Sequence, residues 1–378
     1  MKGACSAVPF CARLRSVSTG KAGRAADRDL HGGRKPVSLK QLAEYLGLSP
    51  ATVSLVINRS TVADSIPQET KDRIFAAAHK FKYRPNFFAR SLRAQRSFTI
   101  GVIVPEVSDG YSAHVMSGVE DYLLQEGYFY FVASHRHRQD LIDEYPRLFL
   151  ERSIDGVIAV DTPWSLVLSV PVVTVSGHNQ VKGVTNIVLD HKRAAEVALR
   201  HLYQLGHRRI AFIKGQEFSS DTAVRWTNIE AVAQQLDLPI VRTRVAQLEG
   251  DSPSPRVGYE AARRLLASPK PFTATALFAF NDISAIGAIH AFREAGLQVP
   301  RDISVVGFDD IQSAAYQNPG LTTVRQPLRE MGRIAAETVL RRINRPGSDL
   351  HPERTVEPEL VIRESTAPPN GDGRPKNR

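Results

Sequence analysis

From residue 98 onward the sequence alternates short, unbroken apolar runs with amphipathic stretches, and that alternation leaves few folds open. FTIGVIV precedes a helical pattern over 113–125, FYFVAS one over 141–150, and DGVIAV, VPVVTVS and NIVLD lead to another over 191–203. RRIAFIKG, TATALFAF, ISVVGFDD and LTTVRQP continue the series, separated by helical patterns over 222–236, 257–266, 282–295 and 328–343. A strand that is apolar at every position must be covered on both faces, as in a parallel sheet flanked by helices. Roughly ten such strands are too many for one ordinary sheet, so two doubly wound lobes are expected. A chain of 378 residues has room for these and for a further small domain.

The residues before 98 follow a different rule. Leu39, Leu42, Ala43 and Leu46 recur at helical spacing, Ser38 and Gln41 form a capping-box pattern, and Gly47 ends the helix. Ser49 then caps a second helix with Pro50 at its first position and Val53, Val56 and Ile57 inside. A third helix is predicted over 67–81, with Ile74, Ala77, Ala78 and Phe81 on one stripe. Two helices joined by so short a turn make a helix-turn-helix. The second helix turns small, uncharged residues outward: Pro50, Ala51, Thr52 and Ser54.

Charge is concentrated at the same end. Residues 1–96 hold 18 Lys+Arg against 6 Asp+Glu, leaving 31 against 33 for the rest. A basic front quarter suits a polyanion, either nucleic acid or an anionic surface. Small outward residues let a helix approach the floor of the DNA major groove, where Thr52 and Ser54 offer hydroxyls and Ala51 a methyl-sized contact for thymine. Ser49 and the helix N-terminus suit phosphates.

In order, VSLKQLAEYLGLSPATVSLVIN, RPNFFARSL, IGVIVPEVSDGY, IDGVI, LGHRRIAFI, ALFAFNDISAIGAI, VPRDISVVGFDDI and LTTVRQP resemble the lactose-repressor (LacI/GalR) family of bacterial transcriptional regulators, over about 37–365. The resemblance implies an all-α helix-turn-helix DNA-binding domain plus an α/β two-lobed, periplasmic-binding-protein-like (type I) sensor domain with doubly wound parallel sheets. Its boundaries would be a disordered basic extension over 1–36, the helix-turn-helix over 37–84, a hinge helix over 85–97, the sensor over 98–366 and a disordered tail over 367–378. It also implies an operator-binding surface of Ser49, Pro50, Ala51, Thr52, Ser54, Leu55, Asn58, Arg84, Asn86, Ala89, Arg90, Leu92 and Arg93. Leu92 would be a minor-groove wedge, and Arg84, Arg90, Arg93 and Arg96 would neutralise phosphates. Pro50 and Ala51 stand at usual base-reading positions and Leu55 where a basic residue is common, so direct readout is expected to be weak.

By the same resemblance Tyr111, Asp190, Arg225, Asn281 and Asp309 line an effector pocket between the lobes. Carboxylates, an amide and an arginine around an aromatic plate suit a polyhydroxylated, carbohydrate-like ligand. Ser112 replaces a second aromatic and Asn228 a glycine usual in the family, both departures at the pocket. A single reading head covers too little sequence to find a genomic site, so a homodimer on pseudo-palindromic double-stranded DNA is expected.

Other classes lack anchors. Cys5 and Cys11 both fall in the tail, and SHRHR places His135 and His137 together without further ligands, so neither a metal nor a cofactor is expected. No dinucleotide fingerprint, P-loop or nucleophile elbow appears, and no enzyme is expected. With no secretory signal and no apolar run of membrane-spanning length, a cytoplasmic protein is expected. The rival, an exported solute-binding protein of a sugar transporter, shares the two-lobed fold but leaves the helix-turn-helix unexplained.

Overall fold

The computed structural model describes residues 37–58, 61–83, 91, 95–108, 110–267, 272–347 and 351–370. Contacts divide the chain between Arg90 and Ser91 into two units.

The first unit is helical: α1 (Leu39–Leu46), α2 (Pro50–Ile57), a 3-10 turn (Thr61–Ser65) and α3 (Gln68–Lys80). Ser38 Oγ accepts the Gln41 N–H at 3.3 Å while Gln41 Oε1 accepts the Ser38 N–H at 2.9 Å, closing the capping box read from the sequence. Gly47 turns the chain at φ 66°, a left-handed conformation that a side chain would strain. Ser49 Oγ then accepts the Thr52 N–H at 3.1 Å, and Pro50 opens α2. Leu42, Ala43, Val53, Val56, Ala63, Ile74 and Ala77 form the buried core of this unit.

The second unit holds two six-stranded sheets among the described residues. In the first lobe β1 (Thr99–Val104), β2 (Phe129–Ser134), β3 (Gly156–Val160), β4 (Val172–Val175), β5 (Val184–Leu189) and β11 (Glu353–Val356) lie in the order 11-5-4-3-1-2, all parallel. In the second, β6 (Ile210–Lys214), β7 (Val245–Gln247), β8 (Ala276–Ala279), β9 (Ser304–Asp309), β10 (Thr322–Arg325) and β12 (Glu359–Val361) follow 12-10-9-8-6-7, with only β12 antiparallel. The sequence pattern did not show β7, β11 or β12: each is a short, partly exposed strand at a sheet edge, so none carries an unbroken apolar run.

The helices are α4 (Gly110–Gln125), α5 (Gln139–Glu151), α6 (His191–Gln204), α7 (Ser220–Gln235), α8 (Pro255–Leu266), α9 (Asp282–Glu294), the short α10 (Gln312–Ala315) and α11 (Leu328–Asn344). Gly118 of α4 and Gly332 of α11 let these helices meet backbone to backbone, since a Cβ on Gly332 would run into the Val115 carbonyl. The chain passes between lobes after β5, after β10 and after β11. Each lobe has the 2-1-3-4-5 strand order, whose switch point falls between β1 and β3 in one lobe and between β6 and β8 in the other. Ligands in such sheets sit beyond the strand ends at the switch point.

Residues 367–370, expected in the tail, are held against the second lobe. Ala367 N donates to Ser304 Oγ at 3.0 Å, its carbonyl is 2.9 Å from His207 Nε2, and Asn370 Nδ2 donates to the Arg301 carbonyl at 2.6 Å. The buried His207 also meets Thr275 Oγ1 at 2.9 Å, so the turn before β6, the start of β8 and the chain's end share one polar knot. Residues 371–378, like the extension over 1–36, lie outside the described residues.

Candidate functional site

Two surfaces carry the expected residues, one in each unit. On α2, Ser49, Pro50 and Ala51 are exposed and Thr52 is half-buried, its hydroxyl 2.9 Å from Ser49 Oγ. These four make a small, uncharged knob at a helix N-terminus, the positive end of the helix dipole that favours phosphate. Ser54 is a correction to the outward face: it is 8% exposed and takes a 3.1 Å hydrogen bond from Asn58 Nδ2. The helical period places it beside Val53, toward α1 and α3, so its hydroxyl closes the helix end. Leu55 packs half-buried on the same core, and Asn58 is spent on the α2 carboxyl end. Arg84, Asn86, Ala89, Arg90, Leu92 and Arg93 lie outside the described residues. Arg96, expected on phosphates, instead donates to the Ile343 carbonyl at 2.8 Å and to Asn344 Oδ1 at 2.5 Å, at the carboxyl end of α11.

In the second unit a crevice between the lobes is lined by Tyr111, Arg225, Asn281 and Asp309, four of the five expected residues. The fifth, Asp190, does not join them. Its carboxylate accepts the Arg193 N–H at 2.8 Å as the N-cap of α6, and it is not among the residues that line the crevice. Asn281 also caps its helix, with Oδ1 accepting the Ser284 N–H at 2.9 Å, but it keeps a place in the lining. Asp309 ends β9 at φ 105° and accepts from Gln326 Nε2 at 2.6 Å. Holding a non-glycine residue there costs on the order of 1–3 kcal/mol, as at many ligand clamps.

Arg225 is 4% exposed and fully engaged on its terminal nitrogens: Nη1 donates to the Phe280 carbonyl at 2.6 Å and Nη2 to Asp221 Oδ2 at 2.9 Å. Its guanidinium lies 3.7 Å from the Phe308 ring centre. Asn228, which stands where a glycine is usual in the family, bonds back to the Val224 carbonyl at 2.9 Å and leaves the crevice to Arg225. Tyr111 Oη is 2.6 Å from Ser176 Oγ. Burial, followed by the fields of Asp221 and Asp161, pushes its phenol well above the ordinary value, so it stays protonated.

The structure adds residues that the sequence did not place at the crevice. Asp161, directly after β3, accepts from Ser220 Oγ at 2.7 Å and Ser220 N at 3.2 Å, so one lobe caps the first turn of a helix in the other. His137 stacks on Phe218 across the crevice with ring centres 3.8 Å apart. Asp161 could have been found by the strand-end rule that picked Asn281 and Asp309; the His137 stack has no local signal. The crevice leaves about 100 Å³.

The model of bacterial regulatory proteins of the lacI family matches residues 38–86, and the periplasmic binding protein-like domain matches 199–366. The chain is 30% identical over 339 residues to the HTH-type transcriptional repressor PurR of Haemophilus influenzae, covering 87% of this chain and 98% of that protein. The chain belongs to the lacI family of bacterial regulatory proteins. Its fold superposes on the lac repressor dimer bound to operator and the anti-inducer ONPF with a TM-score of 0.75, at 25% identity over 88% of this chain and all of that one. A LacI family regulator from Enterococcus faecium with bound ribose aligns at 27% identity and a TM-score of 0.62, over 72% of this chain and all of that one. This LacI-type chain is therefore a DNA-binding transcriptional regulator with an effector-binding domain, and the transporter reading, which has no use for the matched helix-turn-helix, falls away. Among the described residues no helix is long and apolar enough to cross a membrane.

Proposed function

We propose that this regulator is a cytoplasmic, homodimeric repressor whose hold on a pseudo-palindromic operator is set by a sugar bound in the crevice. The observation that carries the reading is the crevice constellation: Tyr111, Arg225, Asn281 and Asp309 converge from both lobes on one cavity. Glu106, Asp161, Asp221, Asp251 and Asp309 line it, while Arg225 is already matched to Asp221. A negative field repels phosphorylated or carboxylated ligands, whereas hydroxyl groups donate to carboxylates and an aromatic plate covers an apolar ring face. The ribose carried by the E. faecium relative is of this class.

A ligand that prefers one lobe arrangement shifts the regulator toward it and thereby alters operator affinity. Ser49, Pro50, Ala51 and Thr52 would face the major groove, and Arg84, Asn86, Ala89, Arg90, Leu92 and Arg93 would supply the hinge contacts. The reading assigns the crevice to binding and not to turnover, and sugar release of the operator is the direction proposed.

Gel shifts on the promoter beside the gene, with and without a panel of pentoses and hexoses, test it. A neutral sugar should release the DNA from the parent protein, and Arg225→Ala and Asp309→Ala should each hold DNA yet ignore that sugar. Normal release by both variants would remove the crevice assignment, and no DNA retention at low salt would remove the operator reading.

A further inference from the structure

Beside the crevice, three segments far apart in sequence bring two imidazoles and a carboxylate together. His178 comes from the loop after β4 in the first lobe, His191 from the start of α6, and Asp221 from the first turn of α7 in the second lobe. One ligand atom of each lies within 4.8 Å of the others. Asp221 Oδ1 is 2.7 Å from His178 Nε2 and 3.4 Å from His191 Nε2. His191 is 4% exposed; its Nδ1 has no hydrogen-bond partner, and its Nε2 has only the 3.4 Å approach of Asp221 Oδ1. A buried polar atom left without a partner costs about 1–3 kcal/mol, so its persistence calls for an explanation.

We propose that His178, His191 and Asp221 hold a zinc-class divalent metal ion that ties the two lobes of the sensor together. Ligands about 2.0–2.1 Å from a tetrahedral ion stand roughly 3.3 Å apart, which the His191–Asp221 pair already meets and His178 reaches by a small retreat. Two imidazoles with one carboxylate suit zinc and its first-row neighbours, whereas calcium and magnesium take oxygen. Arg225 occupies the far oxygen of Asp221 at 2.9 Å and leaves Oδ1 for the ion, as outer hydrogen bonds to ligating carboxylates commonly do. Further carboxylates stand near the added positive charge, since Asp161 and Asp309 line the same crevice as Asp221. The fourth position is left to water or to a ligand in the crevice. The inference does not depend on the sugar or on the operator, and its test involves neither.

The experiment uses the full-length chain with Cys5→Ser and Cys11→Ser, which removes the tail thiols as competing ligands. After chelator treatment, cobalt(II) and zinc(II) are titrated by absorption spectroscopy and calorimetry, and retained metal is measured after desalting. Expected are one ion per chain, a ligand-field band of low-symmetry N/O coordination, a raised Tm, and at least about a 100-fold loss of affinity in His191→Asn and in His178→Asn. Equal binding by the double variant overturns the proposal. Should the variants not fold, absence of a stoichiometric ion and of the cobalt band in the parent overturns it equally.

Discussion

Asp282, at the first position of α9, is fully buried, and it sits under the turn that presents Asp309. Its carboxylate accepts Thr323 Oγ1 at 2.6 Å and the Ile311 N–H at 2.9 Å, two residues beyond Asp309. Burial pushes its carboxyl up to about 7, although those hydrogen bonds oppose the rise. A folded pKa above the unfolded one means the native state binds the proton more tightly. The stability from Asp282 is therefore full below about pH 4 and is lost as pH rises through 7, by roughly 4 kcal/mol in all. Asp282→Asn cannot titrate, so its Tm relative to the parent should climb between pH 5 and pH 8. A difference that stays constant over that range would exclude the shifted carboxyl. At this scale the sequence was partly legible. Asn281 and Asp309 were visible as polar residues ending apolar strands, whereas Asp190 obeys the same rule and serves its own helix. Nothing local marks His178, His191 and Asp221 as neighbours, since only the fold joins them.

Elements were more legible than residues, because period and caps are local. Helices α1 and α2 begin and end where Ser38, Gly47, Ser49 and Pro50 place them. Ser54 was misjudged because a two-turn helix with few polar residues gives the period little contrast, and the third helix decides which side is inside. Ser49 can be tested as cap and as contact separately. Ser49→Ala should cost the helical unit about 1 kcal/mol and Ser49→Gly only a few tenths, since glycine tolerates the cap position. If the hydroxyl also touches DNA, both variants lose operator affinity alike; affinity that tracks stability alone would confine Ser49 to capping. The α4–α11 contact is equally specific. Gly332→Ala forces a methyl into the Val115 carbonyl of a fully buried interface, so a loss of about 1–3 kcal/mol is expected in urea melts. An unchanged midpoint would mean that the two helices separate at little cost.

At the scale of the whole sensor, two lobes were readable from the number of apolar strands, but their closure was not, because closure is a contact between strand ends of different sheets. The crevice of about 100 Å³ is smaller than the roughly 300 Å³ of ordinary small-molecule sites, so the proposed sugar would need the lobes to part before it enters. Closing again restores the bonds from Asp161 to Ser220 at the start of α7, and these are made by one lobe to the other. Asp161 acts here as a helix cap supplied from a different lobe, with the usual worth of a cap, about 1–2 kcal/mol. Asp161→Ala removes that bias toward closure, and because apparent affinity scales with the population of the competent state, sugar binding should weaken about tenfold. Operator affinity without sugar depends on contacts that Asp161 does not make and should hold. The half-maximal sugar concentration for DNA release should therefore rise about tenfold while the sugar-free gel shift stays put. Movement of the sugar-free value, with the sugar midpoint unchanged, would place Asp161 in the resting arrangement and leave closure to other contacts.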